Sequence, residues 1–279
     1  MNCKRILGIS RSPRFSPNSE ERDAAIFHAV ATCLRERGAN VTTVCEDELS
    51  IVGRPDAIFS MARGETVSRL MAQVPDVPTI NQPQSIVNNR ARLQQLQLLR
   101  HKLPSACPPY APLPSTDTEG LKALLPAWLK TNGDGETATD VRYVETTHEL
   151  LEALEEGKVR YVLLMKHITG DLVKFYGVAD TFFHWQYATP PDAASASFSK
   201  FGNERINGRA AGYEFDAKAL QSIAATAART IGFDIFGGDA VITAQGEIFI
   251  IDFNDWPSFS SCREEAAEAI AKHLWKQLN

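Results

Sequence analysis

The strongest constraint on the fold of this 279-residue chain is a pair of apolar segments near its C-terminal end, residues 238–243 and 247–254. Only a short glycine-containing turn separates them, so they predict a β-hairpin. Asp239 lies on the first strand, and Asp252 and Asn254 lie on the second. Side chains alternate along a strand, so Asp252 and Asn254 project to one face, and a short turn can bring Asp239 opposite them.

These three side chains suit a magnesium ion. Carboxylate and amide oxygens bind Mg²⁺, which takes its remaining ligands from water and phosphate. The surrounding strand is strongly apolar, and an acid there is costly unless a cation or hydrogen bonds compensate it. The alternative is that Asp252 and Asn254 merely end the strand and begin a turn, where both residue types are common. The sequence favours metal ligation by Asp239, Asp252 and Asn254.

The first third of the chain alternates short apolar runs with helical patterns. Because helices separate the strands, the pattern predicts a parallel sheet with covering helices. We therefore assign residues 1–105 to an N-terminal α/β domain. Its strands are predicted at 5–10, 40–46, 57–62 and 77–81, and its helices at 18–38, 64–73 and 86–100.

A proline-rich stretch, residues 104–118, marks the next boundary. Its five prolines lack an amide proton and fix φ, which favours an extended linker. Beyond it, segments 161–168, 172–178 and 181–188 predict antiparallel strands with tight connections. We assign residues 113–188 to a central subdomain and residues 189–279 to a C-terminal subdomain that contains the hairpin.

Three lysines lie where they could bind a polyphosphate. Lys130 ends an apolar strand just before a glycine-containing loop, whose amides would add further donors. Lys166 interrupts an apolar strand, and Lys174 lies two residues into the next. A lysine in a buried strand needs an anionic partner. Each lysine alone is weak evidence, because lysines at strand ends are more often solvated.

The order of these features resembles that of the ATP-grasp superfamily, closest to its small-ligase and inositol-phosphate-kinase-like branches, over roughly residues 77–275. The resemblance implies an α/β plus α+β protein, with a Rossmann-like domain before the ATP-grasp fold. It also implies ATP and Mg²⁺ as cofactors, with Mn²⁺ as an alternative ion. Asp239, Asp252 and Asn254 match the superfamily's metal-binding pattern.

The resemblance further implies the nucleotide contacts. Segment 163–171 is similar to the superfamily's hinge strand, where backbone groups at Met165 to His167 would meet the adenine edge. Asp171 would then hold the ribose, and Lys174 would face phosphate or substrate. The implied nucleotide-binding residues are Lys130, Met165, Lys166, His167, Ile168, Asp171 and Lys174.

Two departures from the superfamily pattern leave the detailed contacts open. Asp252 stands where many ligases have glutamate, which shortens the metal ligand by one methylene. The loop after Lys130 is acidic rather than serine-rich, and Asp134 and Glu136 would repel a triphosphate unless they point away or meet another metal.

Several arginines could hold an anionic substrate, since a guanidinium binds carboxylate or phosphate through two parallel hydrogen bonds. Exposed arginines are common, so the residue type alone is weak evidence. We select Arg209 and Arg263 as catalytic candidates, together with Lys174. The arginines considered are Arg63, Arg90, Arg205, Arg209 and Arg263.

The implied activity is ATP- and Mg²⁺-dependent ligation, in which a carboxylate is activated as an acyl phosphate for attack by an amine or thiol. A kinase acting on a polyol or inositol phosphate is an alternative, but that substrate would need more converging lysines and arginines. A non-catalytic nucleotide-binding protein is a further alternative, and the presence of all three metal ligands argues against it.

Composition limits the partners and the location. A net charge of -5 without a basic cluster argues against nucleic acid. No apolar run has the length of a membrane span or the pattern of a signal peptide. The five cysteines are scattered without a CxxC pair, which favours a reducing compartment. We expect a cytoplasmic protein with a small-molecule or peptide substrate; the oligomeric state is open, with a homodimer as one alternative.

Overall fold

The computed structural model contains one parallel and two antiparallel sheets, each of four strands. Asp134, Glu136, Arg90 and Arg205 lie outside the residues that it describes. The described residues are 3–16, 19–50, 53–88, 91–132, 141–156, 159–191 and 206–278.

The N-terminal sheet is parallel, as the sequence predicts, with strand order β2-β1-β3-β4. The apolar stripe of its first helix is fully buried at Ile26, Val30 and Leu34. The predicted helix 86–100 is two helices in the structure. The strands are β1 (Arg5–Ser10), β2 (Asn40–Cys45), β3 (Ala57–Ser60) and β4 (Thr79–Ile80), and the helices are α1 (Glu20–Glu36), α2 (Glu65–Gln73), α3 (Pro83–Asn88) and α4 (Arg92–Lys102).

The central sheet is antiparallel, with strand order β5-β8-β6-β7. Its edge strand β5 lies within the proline-rich stretch, so part of the predicted linker pairs with the sheet. Proline is tolerated there because an edge strand does not need every amide. The strands are β5 (Tyr110–Pro112), β6 (Ala127–Lys130), β7 (Val141–Val144) and β8 (Leu163–Lys166), and the helices are α5 (Thr118–Lys122) and α6 (Thr147–Glu155).

The C-terminal sheet is also antiparallel, with strand order β10-β9-β11-β12. The predicted hairpin is β11 and β12. The strands are β9 (Asp171–Val178), β10 (Phe182–Tyr187), β11 (Ile235–Ile242) and β12 (Ile248–Asp255), and the helices are α7 (Ala217–Ile231) and α8 (Arg263–Gln277).

The division between the two antiparallel sheets falls between β8 and β9. The sequence analysis grouped β9 and β10 with the central region, within 113–188, whereas the structure pairs β9 with β11. Gly170 lies just before β9, and a Cβ added there would overlap the carbonyl oxygen of Ile242 at the end of β11. Glycine therefore lets the chain cross closely onto β11 and begin the second sheet.

Two hydrophobic cores hold the hairpin. One face of the C-terminal sheet packs Phe175, Phe236 and Phe253 into a core that also contains residues of α4 and α7. Trp256 and Phe259, which follow β12, are buried in a second core with residues of β1, β3, α1 and α8. The end of β12 therefore lies against the N-terminal sheet. Among the described residues, no helix has both the length and the apolar character needed to cross a membrane.

Candidate active site

The hairpin places the predicted metal ligands together. Asp239 is the register partner of Asp252, and Gly237 is the partner of Asn254. Directly opposed residues project to the same face of a sheet, so Asp239, Asp252 and Asn254 share one face. Asn254 donates from Nδ2 to Asp252 Oδ2 at 2.7 Å, a bond that uses its amide nitrogen and not its oxygen.

A β-bulge separates this polar face from the apolar part of β12. The register shifts between Asp239 and Ala240, whose partners are Asp252 and Ile250, so Ile251 is the extra residue. A bulge shifts the phase of alternation and bends the strand. The carbonyl oxygen of Ile251 accepts a hydrogen bond from Lys130 Nζ at 2.6 Å. The bulge therefore connects the hairpin to the central sheet.

Glycine is required opposite the bulged strand. A Cβ added at Gly238 would overlap the carbonyl oxygen of Asp252 and the ring of Phe175. We expect Gly238→Ala to lower the free energy of unfolding by about 1–3 kcal/mol, the usual cost of overpacking, and to weaken Mg²⁺-nucleotide binding because the hairpin must separate. Urea denaturation and nucleotide titration of the same variant would measure both effects. Unchanged stability and unchanged binding would contradict this geometry.

Three cations surround the two carboxylates. Lys174 on β9 is the register partner of Asp239, and its Nζ lies 3.4 Å from Asp239 Oδ1. Lys130 reaches the hairpin from the central sheet. Arg92, the first residue of α4, places Nη2 4.0 Å from Asp252 Oδ1 and donates from Nη1 to a backbone carbonyl at 2.9 Å. Arg92 is not among the site residues predicted from the sequence, because nothing in the local pattern of α4 indicates which helix residue contacts the hairpin.

The carboxylates and cations stabilise one another's charge. Burial would raise the pKa of Asp252, but Arg92 and Lys130 outweigh it and hold that pKa below its ordinary value. Burial lowers the pKa of Lys130 to about 8, although Asp252 and Asp239 act in the opposite direction. Lys130 is only 6% exposed. The attraction of the nearby carboxylates therefore does not offset the cost of burying the ammonium, and a further anion would stabilise it.

The predicted hinge strand has the expected position but not all the expected contacts. Met165 is buried in the core shared with the C-terminal sheet. Lys166 is exposed and, by strand alternation, lies on the opposite face of the central sheet from Met165 and Lys130. The structure therefore places the Lys166 side chain away from the face that carries Lys130, and its contact with phosphate stays a prediction. The amides of Lys166 and His167 already donate to the carbonyls of Pro109 and Pro126.

The carboxylate of Asp171 has three backbone partners, and its contact with a ribose stays a prediction. Asp171 is 3% exposed, and its carboxylate accepts hydrogen bonds from the amides of Ala211, Gly212 and Tyr213 at 2.6, 2.8 and 2.8 Å. Three amide donors use most of the acceptor capacity of a carboxylate. Asp171 therefore anchors the segment before α7.

His167 belongs to an aromatic cluster next to the hinge. Its Nδ1 accepts a hydrogen bond from Trp128 Nε1 at 3.1 Å, and its ring lies 5.5 Å from the Tyr143 ring. Burial lowers the pKa of His167, which favours the neutral imidazole. Ile168, the last predicted hinge residue, has a carbonyl oxygen that accepts from Asn207 at 3.4 Å.

The arginines considered as substrate-binding candidates lie in different environments. Arg209 is exposed. Arg263 is the first residue of α8, and its Nε is buried without a hydrogen-bond partner. Arg63 is not a free guanidinium, because its Nη2 lies 2.8 Å from Asp255 Oδ1. The assignments of Arg209 and Arg263 to substrate stay predictions.

The donor set fits Mg²⁺ held jointly with phosphate. Among the described residues, no group of three or more His, Cys, Asp or Glu side chains is arranged to hold a metal ion by itself. Two ionised carboxylates and an amide oxygen, beside three cations, instead suit an ion that takes other ligands from water and a nucleotide. These side chains lie where the hairpin of the C-terminal sheet meets Lys130 of the central sheet.

Comparison of this sequence with family models and with curated proteins finds no match. Solved structures do match over nearly the full length. D-alanine–D-alanine ligase from Bacillus anthracis complexed with ATP has a TM-score of 0.69 at 13% identity, covering 98% of this chain and 96% of that chain.

Two further structures show the same similarity. The ATP-grasp ligase PsnB, complexed with a phosphomimetic variant of its minimal precursor, Mg and ADP, has a TM-score of 0.66 at 15% identity and covers 100% of both chains. A RimK domain ATP-grasp protein from Sphaerobacter thermophilus has a TM-score of 0.66 at 16% identity, covering 97% of this chain and 99% of that chain. The chain therefore has the ATP-grasp fold.

Proposed function

We propose that the protein is an ATP- and Mg²⁺-dependent ligase that activates a carboxylate as an acyl phosphate for attack by an amine or thiol. The observation that supports this most strongly is the Asp239–Asp252 pair, which lies on one sheet face with Lys130, Lys174 and Arg92 beside it. This arrangement lies within an ATP-grasp fold whose solved examples include ligases with ATP or ADP and Mg bound.

The metal would be held by Asp239, Asp252 and Asn254, and Mn²⁺ would fit the same oxygen donors. When bound, the ion neutralises charge on the transferring phosphoryl group. Lys130 and Lys174 supply fixed positive charge on the same side. Such pre-positioned cations stabilise the charge that develops as the substrate carboxylate attacks the γ-phosphorus and ADP leaves.

A second nucleophile completes the proposed reaction. The amine or thiol attacks the acyl carbon, and inorganic phosphate leaves. Arg209 and Arg263 are our candidates for holding the anionic substrate. PsnB, one of the structurally similar ligases, is complexed with a variant of its minimal precursor. We propose a small-molecule or peptide carboxylate as the substrate, a cytoplasmic location, and no nucleic-acid partner.

The kinase alternative fits this site less well. Lys130, Lys174 and Arg92 already lie beside the two site carboxylates or the backbone next to them. They would be shared with the phosphates of ATP, so few cations remain for a substrate that carries several phosphates. The ligase is therefore the better-supported proposal.

A product assay tests the proposal directly. We expect the protein with Mg²⁺-ATP and pooled carboxylates, amines, amino acids and peptides to release ADP and inorganic phosphate in equal amounts, because the acyl phosphate loses its phosphate to the second nucleophile. ADP without free phosphate in a polyol-phosphate pool would identify a kinase. Absence of ATP turnover over the whole screen would favour a non-catalytic nucleotide-binding protein.

A further inference from the structure

The ligand-bearing strand β12 ends in a buried ion-pair cluster formed with the N-terminal sheet. Asp255 follows Asn254 directly, and its side chain is 9% exposed. Its Oδ1 lies 2.8 Å from Arg63 Nη2, and its Oδ2 lies 3.7 Å from Arg11 Nη2. Arg11 follows β1, and Arg63 lies three residues beyond β3. Both arginines therefore reach Asp255 from the carboxyl edge of the parallel sheet.

Arg11, the more buried of the two arginines, is itself held by several partners. The side chain of Arg11 is 8% exposed, and its Nη1 lies 3.2 Å from Asp23 Oδ2. Its Nε donates to the Met61 carbonyl at 3.3 Å, and its Nη2 donates to the Trp256 carbonyl at 3.4 Å. All three side-chain nitrogens of Arg11 have partners, and Nη2 lies beside both Asp255 Oδ2 and the Trp256 carbonyl, so Arg11 holds Asp255 and the residue after it together.

The neighbouring strand β11 is held at the same end. Asn81, which is fully buried, donates from Nδ2 to the Ile235 carbonyl at 2.7 Å and accepts at Oδ1 from the Ile235 amide at 2.6 Å. Phe236, the next residue of β11, is the register partner of Asp255. The N-terminal domain therefore fixes adjacent ends of both strands that carry the metal ligands.

The chain after Asp255 adopts a backbone conformation that needs such support. Trp256 is 1% exposed and has φ 41°, in the left-handed region that a bulky residue rarely adopts. Conformations of this kind persist only where the surroundings over-determine them. The surroundings here are Arg11, the aromatic core and the Asp255 ion pairs.

We infer that Asp255 is a positioning residue for the metal site: through Arg63 and Arg11 it fixes the end of β12 and so aims Asp252 and Asn254 at the ion. This inference rests on the proposed function, because it requires a metal-nucleotide complex at that face. Groups that orient metal ligands without touching the metal commonly change metal affinity or activity by 10- to 100-fold. Removing the Asp255 charge should therefore weaken metal binding without removing any ligand.

The test measures Mn²⁺ affinity in the presence of the non-hydrolysable analogue AMP-PNP, by electron paramagnetic resonance, and AMP-PNP affinity in EDTA. In Asp255→Asn we expect Mn²⁺ affinity to fall by about 10-fold or more, with AMP-PNP affinity in EDTA unchanged. Asp76→Asn is the matched control, because it makes the same chemical change in an exposed ion pair with Arg54 in the N-terminal domain. It should leave both affinities unchanged.

Arg63→Gln separates a positioning role from a general loss of structure. Because Arg63 and Asp255 act as one pair, a variant that combines Arg63→Gln with Asp255→Asn should bind Mn²⁺ no more weakly than Asp255→Asn alone. Unchanged Mn²⁺ affinity in Asp255→Asn, or an equal loss of both affinities, would overturn the inference. If Asp255→Asn does not fold, Mn²⁺ affinity with AMP-PNP and AMP-PNP affinity in EDTA are measured in Arg63→Lys instead, and the same result is expected. If the unaltered protein binds no Mn²⁺ with AMP-PNP, the proposed function itself fails, and this inference fails with it.

Discussion

Replacing Asp252 with asparagine is expected to lower turnover by about 10³-fold or more while the protein remains folded. Asparagine keeps the shape of the side chain and removes the charge that holds the ion, and a bound metal contributes several kcal/mol of transition-state stabilisation. The Asp252 side chain is 30% exposed, so its replacement leaves no large buried cavity. Steady-state ADP release and thermal unfolding of the same preparation would measure the two effects.

The matched control for this variant is Asp180→Asn. Asp180 pairs with Arg229 on the surface, with the two side chains 84% and 62% exposed, so the same chemical change there should alter neither turnover nor folding. Turnover within a few-fold of normal in Asp252→Asn would remove the metal assignment. A loss of the folded state in Asp252→Asn would instead assign the carboxylate a structural role.

Replacing Lys130 with methionine is expected to weaken nucleotide binding and to stabilise the protein. The ammonium is buried, and burial lowers its pKa from 10.5 to about 8. At neutral pH the folded protein therefore carries a charge whose burial costs roughly 3 kcal/mol. Methionine has a similar volume and removes this cost, but it also removes the hydrogen bond to the Ile251 carbonyl and the attraction to Asp252, so the free energy of unfolding should rise by less than this amount. ATP affinity should fall, because a cation for the phosphates is lost.

The pH dependence of stability tests the same argument. Between pH 8 and 10.5 the unfolded chain binds the Lys130 proton more tightly than the folded protein does, so this residue makes stability rise with pH over that window. Below pH 8 both states are protonated, and its contribution is constant. The difference in unfolding free energy between the unaltered protein and Lys130→Met should therefore shrink from pH 8 to 10. A difference that is constant over this range would contradict the buried-ammonium account.

The sequence predicts the hairpin well because its signals are local. Two apolar segments and a short turn indicate the hairpin, and alternation places Asp252 and Asn254 on one face. Without the bulge at Ile251 the register from the turn would pair Asp239 with Ile251, so the bulge is what brings Asp239 to the same face as Asp252. The bulge at Ile251 carries no comparable signal, since an isoleucine there continues the apolar pattern. Its effect depends on Lys130, which arrives from a different sheet.

The contacts of Lys166, Asp171 and Arg92 could not be predicted from the sequence, for a different physical reason. Both faces of the central sheet are apolar, with Leu164 in one core and Met165 in another, so alternation alone cannot show which face Lys166 takes. Asp171 was assigned by resemblance, and its three amide partners lie about forty residues further along the chain. The contribution of Arg92 depends on the packing of α4 against the hairpin, which is a tertiary property.

The most direct measurement is the anomalous scattering of Mn²⁺ in crystals grown with MnCl₂ and AMP-PNP. We predict a peak bound by Asp239, Asp252 and the amide oxygen of Asn254, with the analogue's phosphates on its open side and Lys130 beside them. A peak elsewhere, or a nucleotide whose phosphates lie away from this sheet face, would contradict the account.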